Sequence, residues 1–209
     1  MNQPRKLLRS KGFISLNNMF GPILETKRLV LRELKLSDAK DMFEYAHLPE
    51  IGPMAGWEPH PNLAHTKSVI QMYHDKKKYG QLGVFAIILK ETRKMIGTVE
   101  LHSYIKGFKA ELGYTLNPIY RHNGYATEAS IAMLHYGFMD LELRRIEAAT
   151  YTTNTASINV LNRLSFRCEG MKKDGYYLYD GTLHDVYIYG MTKDEYIEKY
   201  IVKGENNGL

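Results

Sequence analysis

The sequence predicts a mixed α/β fold: a mostly antiparallel sheet of about seven strands with helices on both faces. Three observations predict it. Short apolar or alternating runs recur at 28–33, 84–90, 95–101, 111–116, 145–151 and 184–191, in the manner of strands. Stretches with apolar residues at three- and four-residue steps lie between them. A compact turn, Glu91-Thr-Arg-Lys94, joins two of the apolar runs into a hairpin and so begins a meander.

Each element has its own warrant. Residues 28–33 alternate apolar with charged side chains, and Ser37-Asp38 then offer an N-cap for a helix carrying Ala39, Met42, Phe43 and Ala46. The stretch from Pro49 to Pro61 is rich in proline and glycine and holds the single tryptophan, Trp57, so it is an ordered loop. Trp57 either walls a pocket or covers the core edge. A second helix follows over about 64–79. Runs 84–90 and 95–101 are partly β-branched, and 111–116 continues their meander. A helix over 125–138 sets Ala126, Ala129, Met133 and Tyr136 on one face. Strand 145–151, a helix opening at Asn154 and a closing hairpin turned at Asp180-Gly181 complete the order.

With 209 residues, 44% hydrophobic and 24% charged, the chain suits one folded domain. The chain divides into a basic N-terminal arm (1–24), the domain proper (25–195) and a C-terminal tail (196–209) that is polar from Lys203. No apolar run approaches the ~18–20 residues of a bilayer span, and no secretory signal is evident, which points to the cytoplasm. Cys168, the one cysteine, forms no intrachain disulfide and is expected to be a small buried residue beside Phe166. Of the net charge of +5, four charges belong to Arg5, Lys6, Arg9 and Lys11, leaving +1 for residues 25–209. A nearly neutral body without a reading motif argues against specific nucleic-acid binding. No Cys/His cluster has zinc spacing, so no metal is expected.

Chemistry concentrates in Asn117-Pro-Ile-Tyr-Arg121-His-Asn-Gly124-Tyr-Ala126-Thr127, between strand 111–116 and helix 125–138. Pro118 ends the strand because it has no N–H to donate. At the helix start the first N–H groups lack intrahelical partners and the dipole is positive, so main chain alone holds an anion. Arg121 adds charge, and Gly124 lets phosphate oxygens approach the backbone. The pattern is R-x-x-G-x-A; neither G-x-G-x-x-G nor G-x-x-x-x-G-K-[ST] occurs. Such a loop is suited to a pyrophosphate.

R-x-x-G-x-A resembles the Q/R-x-x-G-x-G/A motif of the GNAT acyl-CoA N-acetyltransferases. Asn154-Thr-Ala-Ser157-Ile-Asn159-Val-Leu-Asn-Arg-Leu164-Ser-Phe166 is similar to the family helix that opens with Asn and closes in a Leu-Gly-Phe-like turn. Three more segments resemble the RimJ/RimL-like branch, the ribosomal-protein N-terminal acetyltransferases: Glu25-Thr-Lys-Arg-Leu-Val-Leu-Arg32, Ala110-Glu-Leu-Gly-Tyr114 and Asp180-Gly-Thr-Leu-His-Asp185. The resemblance spans about residues 25–192. It implies the GNAT fold, acetyl-CoA as donor, and two parallel strands, 111–116 and 145–151, that splay to expose amides for the pantetheine arm. The cofactor-binding residues it implies are Tyr114, Thr115, Leu116, Arg121, His122, Asn123, Gly124, Tyr125, Ala126, Thr127, Asn154 and Ser157. The implied acceptor is a primary amine, foremost a protein N-terminus such as that of a ribosomal protein, and the family's habits allow a homodimer.

Direct attack of a neutral amine on the thioester requires that the reactants be held together, a proton removed and an oxyanion stabilised. A main-chain N–H near Tyr114 to Leu116 is the expected oxyanion donor. Glu111 is the first candidate base, because it begins the cofactor strand and shares a face with Gly113 and Thr115. Glu100 is the second, on a face with Thr98 and His102. For either glutamate the plain alternative is an ion pair with a neighbouring Lys or Arg. Many family members carry a Tyr seven residues after the helix-opening Asn; here Leu161 stands there. Ser157, water, or one of Tyr176, Tyr177 and Tyr189 is left to protonate the thiolate, although a thiol pKa of about 8.5 makes that group a tolerable leaving group unaided. Ser165 replaces the usual Gly before Phe166. Two rival readings stand beside the protein N-terminus: a small acceptor amine (polyamine, amino acid or antibiotic), and a CoA-binding regulatory module without turnover.

Overall fold

A computed structural model of the chain describes residues 21–203. Most of the expected basic arm, and the tail from 204, lie outside the described residues. The elements in chain order are β1 (Leu24–Glu25), β2 (Leu29–Glu33), α1 (Ala39–Ala46), α2 (Leu63–Lys78), β3 (Val84–Leu89), β4 (Met95–Ile105), β5 (Lys109–Leu116), α3 (Tyr125–His135), β6 (Arg145–Tyr151), α4 (Thr155–Arg163), β7 (Arg167–Tyr177), β8 (Leu183–Thr192) and α5 (Lys193–Tyr196). Among the described residues one sheet of eight strands runs β1-β2-β3-β4-β5-β6-β8-β7. Within it β5 and β6 pair in parallel, and the other neighbours are antiparallel. The extra strand relative to expectation is β1, whose two residues are too few for an alternating pattern.

Burial explains the strand sequences. β3 reads VFAIIL without a polar residue because both of its faces are covered. Phe85, Ile87 and Leu89 join the core under α3, with Leu29, Leu31, Leu101, Met133 and Phe138. Val84, Ala86 and Ile88 join a second core with Met42, Tyr45 and Ile70 of α1 and α2. The sheet is therefore the middle layer of three.

Three expectations need correction. The helix over 125–138 is α-helical only to His135 and then widens into a π-turn over Tyr136–Asp140. Cys168 is exposed rather than buried, because β7 is an edge strand with every residue open to solvent. The tail expected from 196 begins with packed structure: α5 continues as a turn over Ile197–Val202, and Tyr196, 2% exposed, stacks 5.0 Å from Phe138. Among the described residues no helix is long and apolar enough to cross a membrane.

Candidate active site

The site begins where the sheet comes apart. β5 and β6 pair only at Lys109↔Arg145, Ala110↔Ile146 and Glu111↔Glu147, yet β5 continues to Leu116 and β6 to Tyr151. Beyond Glu111 the two strands diverge, as the resemblance implied. Asn117 donates its N–H to Ile96 O of β4 at 2.9 Å. Lateral direction alternates along a strand, so Tyr114 and Leu116 turn their N–H groups into the gap while Thr115 turns its own toward β4.

A cleft of about 1220 Å³ passes through this gap. On the α3–α4 side it is lined by Arg121, His122, Gly124, Tyr125, Ala126, Thr127, Asn154 and Ser157, and on the α1–α2 side by Tyr45, Trp57, Tyr73, Lys76, Glu100 and Glu111. Of the expected cofactor-binding residues, Asn123 alone does not line it. Its amide instead donates to Tyr120 O at 3.3 Å and Arg121 O at 2.9 Å, holding the loop in shape.

The loop's conformation follows from its residues. Pro118–Tyr120 form one 3₁₀ turn, closed by Asn117 Oδ1 accepting from Ile119 N at 3.2 Å. His122 and Gly124 are left-handed, at φ 63° and 78°. Gly124 caps α3 without a side chain, and a Cβ there would meet only Arg28 Nη2, at 3.6 Å. The amides opening α3 are thus left uncovered, and a pyrophosphate fits them on main-chain grounds. α3's first turn is pinned to the sheet edge: Glu128 accepts from Thr26 Oγ1 at 2.6 Å, Arg28 N at 2.9 Å and Arg28 Nε at 2.6 Å. The Arg28 guanidinium lies 4.4 Å over the Tyr125 ring.

α4 starts at an N-cap, Asn154 Oδ1 accepting from Ser157 N at 3.1 Å. Ser157 Oγ is 2.9 Å from the Tyr114 hydroxyl, joining α4 to β5 beside the gap. Burial pushes the Tyr114 phenol up to about 12 against the opposing effect of that bond. Leu161, where the family often has Tyr, is buried in the core. Ser165 adopts φ 65°, so it makes the left-handed turn that glycine usually makes.

On the other face, Thr98↔Thr115, Glu100↔Gly113 and His102↔Glu111 lie opposite one another, and this register sets both glutamates on one surface. His102 Nε2 stands 4.0 Å from Glu111 Oε1. Desolvation raises the Glu100 carboxyl above the usual carboxylate range; His102 and Lys76 oppose the shift and Glu111 adds to it. Among the described residues neither glutamate forms an ion pair with Lys or Arg, and no cluster of three metal-ligating side chains occurs. Tyr176 lines the cleft, whereas Tyr177 and Tyr189 do not. Sequence reasoning missed Tyr45, Tyr73 and Tyr151 as lining residues. Tyr73 stands one helical step (i, i+3) from buried Ile70, a signal that it faces the sheet.

A model of the "Acetyltransferase (GNAT) domain" family matches residues 28–167. The uncharacterized N-acetyltransferase p20 of Bacillus licheniformis is 38% identical over 174 residues, covering 83% of this chain and 97% of that protein. The [ribosomal protein uS5]-alanine N-acetyltransferase of Escherichia coli is 27% identical, over 83% of this chain and 92% of that protein. A GNAT-family acetyltransferase crystal structure from Bacillus anthracis superposes with a TM-score of 0.74 at 26% identity, covering 83% and 99% of the two chains. The parted strands, the uncovered helix start and these likenesses agree, and the chain belongs to the GNAT family of acetyl-CoA-dependent N-acetyltransferases.

Proposed function

We propose that the acceptor is the N-terminal α-amine of a protein, a ribosomal protein foremost, and that Glu100 takes its proton. The observation that carries this reading is the α1–α2 side of the cleft. It is aromatic and mixed in charge, with Lys76, Lys172, Glu50, Glu100 and Glu111 all in its lining. A polyamine site would instead be uniformly acidic. The Escherichia coli relative, named for acetylating the alanine of ribosomal protein uS5, supports the same choice.

Acetyl-CoA supplies an activated acyl carbon and a thiol leaving group; the chain's residues do the rest. The loop 121–127 and the amides opening α3 hold the pyrophosphate. Tyr114 and Leu116 N–H, turned into the gap, take negative charge developing on the acyl oxygen. Glu100 is favoured over Glu111 for two reasons. It lies opposite Gly113, within the divergent region, whereas Glu111 is still in a paired row. Its raised carboxyl is also better matched to accepting a proton near neutral pH. Ser157, held by Tyr114, is the candidate for returning a proton to the thiolate.

The test is thiol release from acetyl-CoA with N-terminal peptides, polyamines and free amino acids, for wild type, Glu100→Gln and Glu111→Gln. Peptide-selective release, with Glu100→Gln slower by about 10²-fold or more, is expected. Release with polyamines only would refute the acceptor reading, and an unimpaired Glu100→Gln would refute the base.

A further inference from the structure

We propose that Tyr176 is a specificity-determining residue, whose bridge to Gly56 narrows the acceptor side of the cleft to an extended chain with small side chains at its third and fourth residues. The inference rests on the reading of a protein N-terminus as the acceptor. Tyr176 Oη donates to Gly56 O at 3.1 Å, linking β7 to the loop after α1 across 120 residues of sequence. Gly56, Trp57, Gly175 and Tyr176 all line the cleft, so the bridge is part of its wall.

The contact is close. Gly56 is left-handed at φ 83°, and a Cβ on it would collide with the Tyr176 hydroxyl. Behind the bridge, Tyr151 meets Tyr176 edge-on at 5.5 Å and packs 4.8 Å from His184, so the phenol is braced from the sheet side. Tyr151 is 6% exposed, which makes the brace a fixed part of the core edge.

Register gives the distance from the chemistry. Continuing the β5–β6 rows past Glu111↔Glu147 sets Gly113 level with Ala149 and Thr115 level with Tyr151. Glu100 belongs to the Gly113 row, so Tyr151 and its bridge lie two residues further along, about 7 Å at strand rise, and two strands across, about 10 Å at strand spacing, which makes roughly 12 Å in all. An extended peptide advances ~3.3–3.6 Å per residue. With the α-amine at Glu100, the third and fourth residues therefore reach the bridge. A large side chain there must displace either the phenol or the loop.

The experiment compares pentapeptides with one N-terminal residue and either Gly or Trp at positions three and four, on wild type and Tyr176→Phe. Wild type is expected to prefer the Gly peptide by tenfold or more in kcat/KM. Tyr176→Phe is expected to shrink that Gly-over-Trp ratio severalfold. Gly56→Ala, which pushes the bridge apart by a different route, is expected to shift the ratio in the same direction, and melting curves confirm that each variant is folded. Equal preference in wild type and both variants overturns the proposal. So does a uniform fall in kcat on both peptides, which would make Tyr176 a participant in the chemistry. If neither peptide turns over while a small amine does, the protein-acceptor reading falls and the bridge's selectivity falls with it.

Discussion

As the proposed base, Glu100 answers to two demands that pull apart. Desolvation raises its carboxyl, so the native state binds that proton more tightly than the unfolded chain does. Stability is then lost as pH rises through the raised value, and none is lost below the unfolded carboxylate range. Glu100→Gln is expected to melt above wild type at about pH 8, with the difference closing toward about pH 4, as calorimetry across pH would check. The same variant is expected to be the slow one, a residue that costs stability for the sake of turnover. Wild-type kcat/KM should rise with pH through a value above the ordinary carboxylate range. Ser157→Ala is a milder change: because thiolate leaves tolerably unaided, kcat is expected to fall less than about tenfold. Gly124→Ala tests the loop, since a side chain at φ 78° costs about 1–2 kcal/mol, read as a lower denaturant midpoint.

The α3 helix depends on one carboxylate for its position. Glu128 is partly buried, which alone would raise it, yet the bonds from Thr26 and Arg28 hold it below the usual range. That stabilisation is present above the unfolded carboxylate pKa and is lost as pH falls through the lowered one. Glu128→Gln is expected to cost about 2 kcal/mol, or about 4–8 °C of melting temperature, and to raise KM for acetyl-CoA with kcat little changed. A drop in melting temperature with unchanged KM would leave the clamp a purely structural feature. The loop 117–127 and the α4 cap at Asn154 were legible because left-handed turns and helix starts demand particular residues. The divergence of β5 from β6 was not, since lost main-chain pairing leaves no side-chain signature; only family resemblance suggested it. α5 was missed despite a readable sign, the Thr192-x-x-Glu195 capping box, in which Glu195 N donates to Thr192 Oγ1 at 3.3 Å and Thr192 N to Glu195 Oε2 at 2.9 Å. The Tyr176 to Gly56 contact, 120 residues apart, has no local signal at all.

At the scale of the whole molecule, the free side of β7 is the sheet's long open edge. Lys172, Lys173 and Asp174 lie along it, Asp174 is left-handed at φ 49°, and the register with β8 shifts twice. These are the devices that discourage one edge from pairing with another. Replacing Lys172 and Lys173 together by Thr is expected to produce concentration-dependent association by light scattering, while wild type does not associate through this edge. The sheet thus has an edge guarded against strangers and, between β5 and β6, an interior seam left unsewn. That seam sets a limit on how far this protein can be hardened. Substitutions that let β6 zip onto β5 as far as Leu116 would gain main-chain bonds and erase the berth proposed for the acyl donor. Selection for heat resistance alone would therefore drift toward a sturdier and silent relative, and a screen that scores melting temperature needs turnover scored beside it.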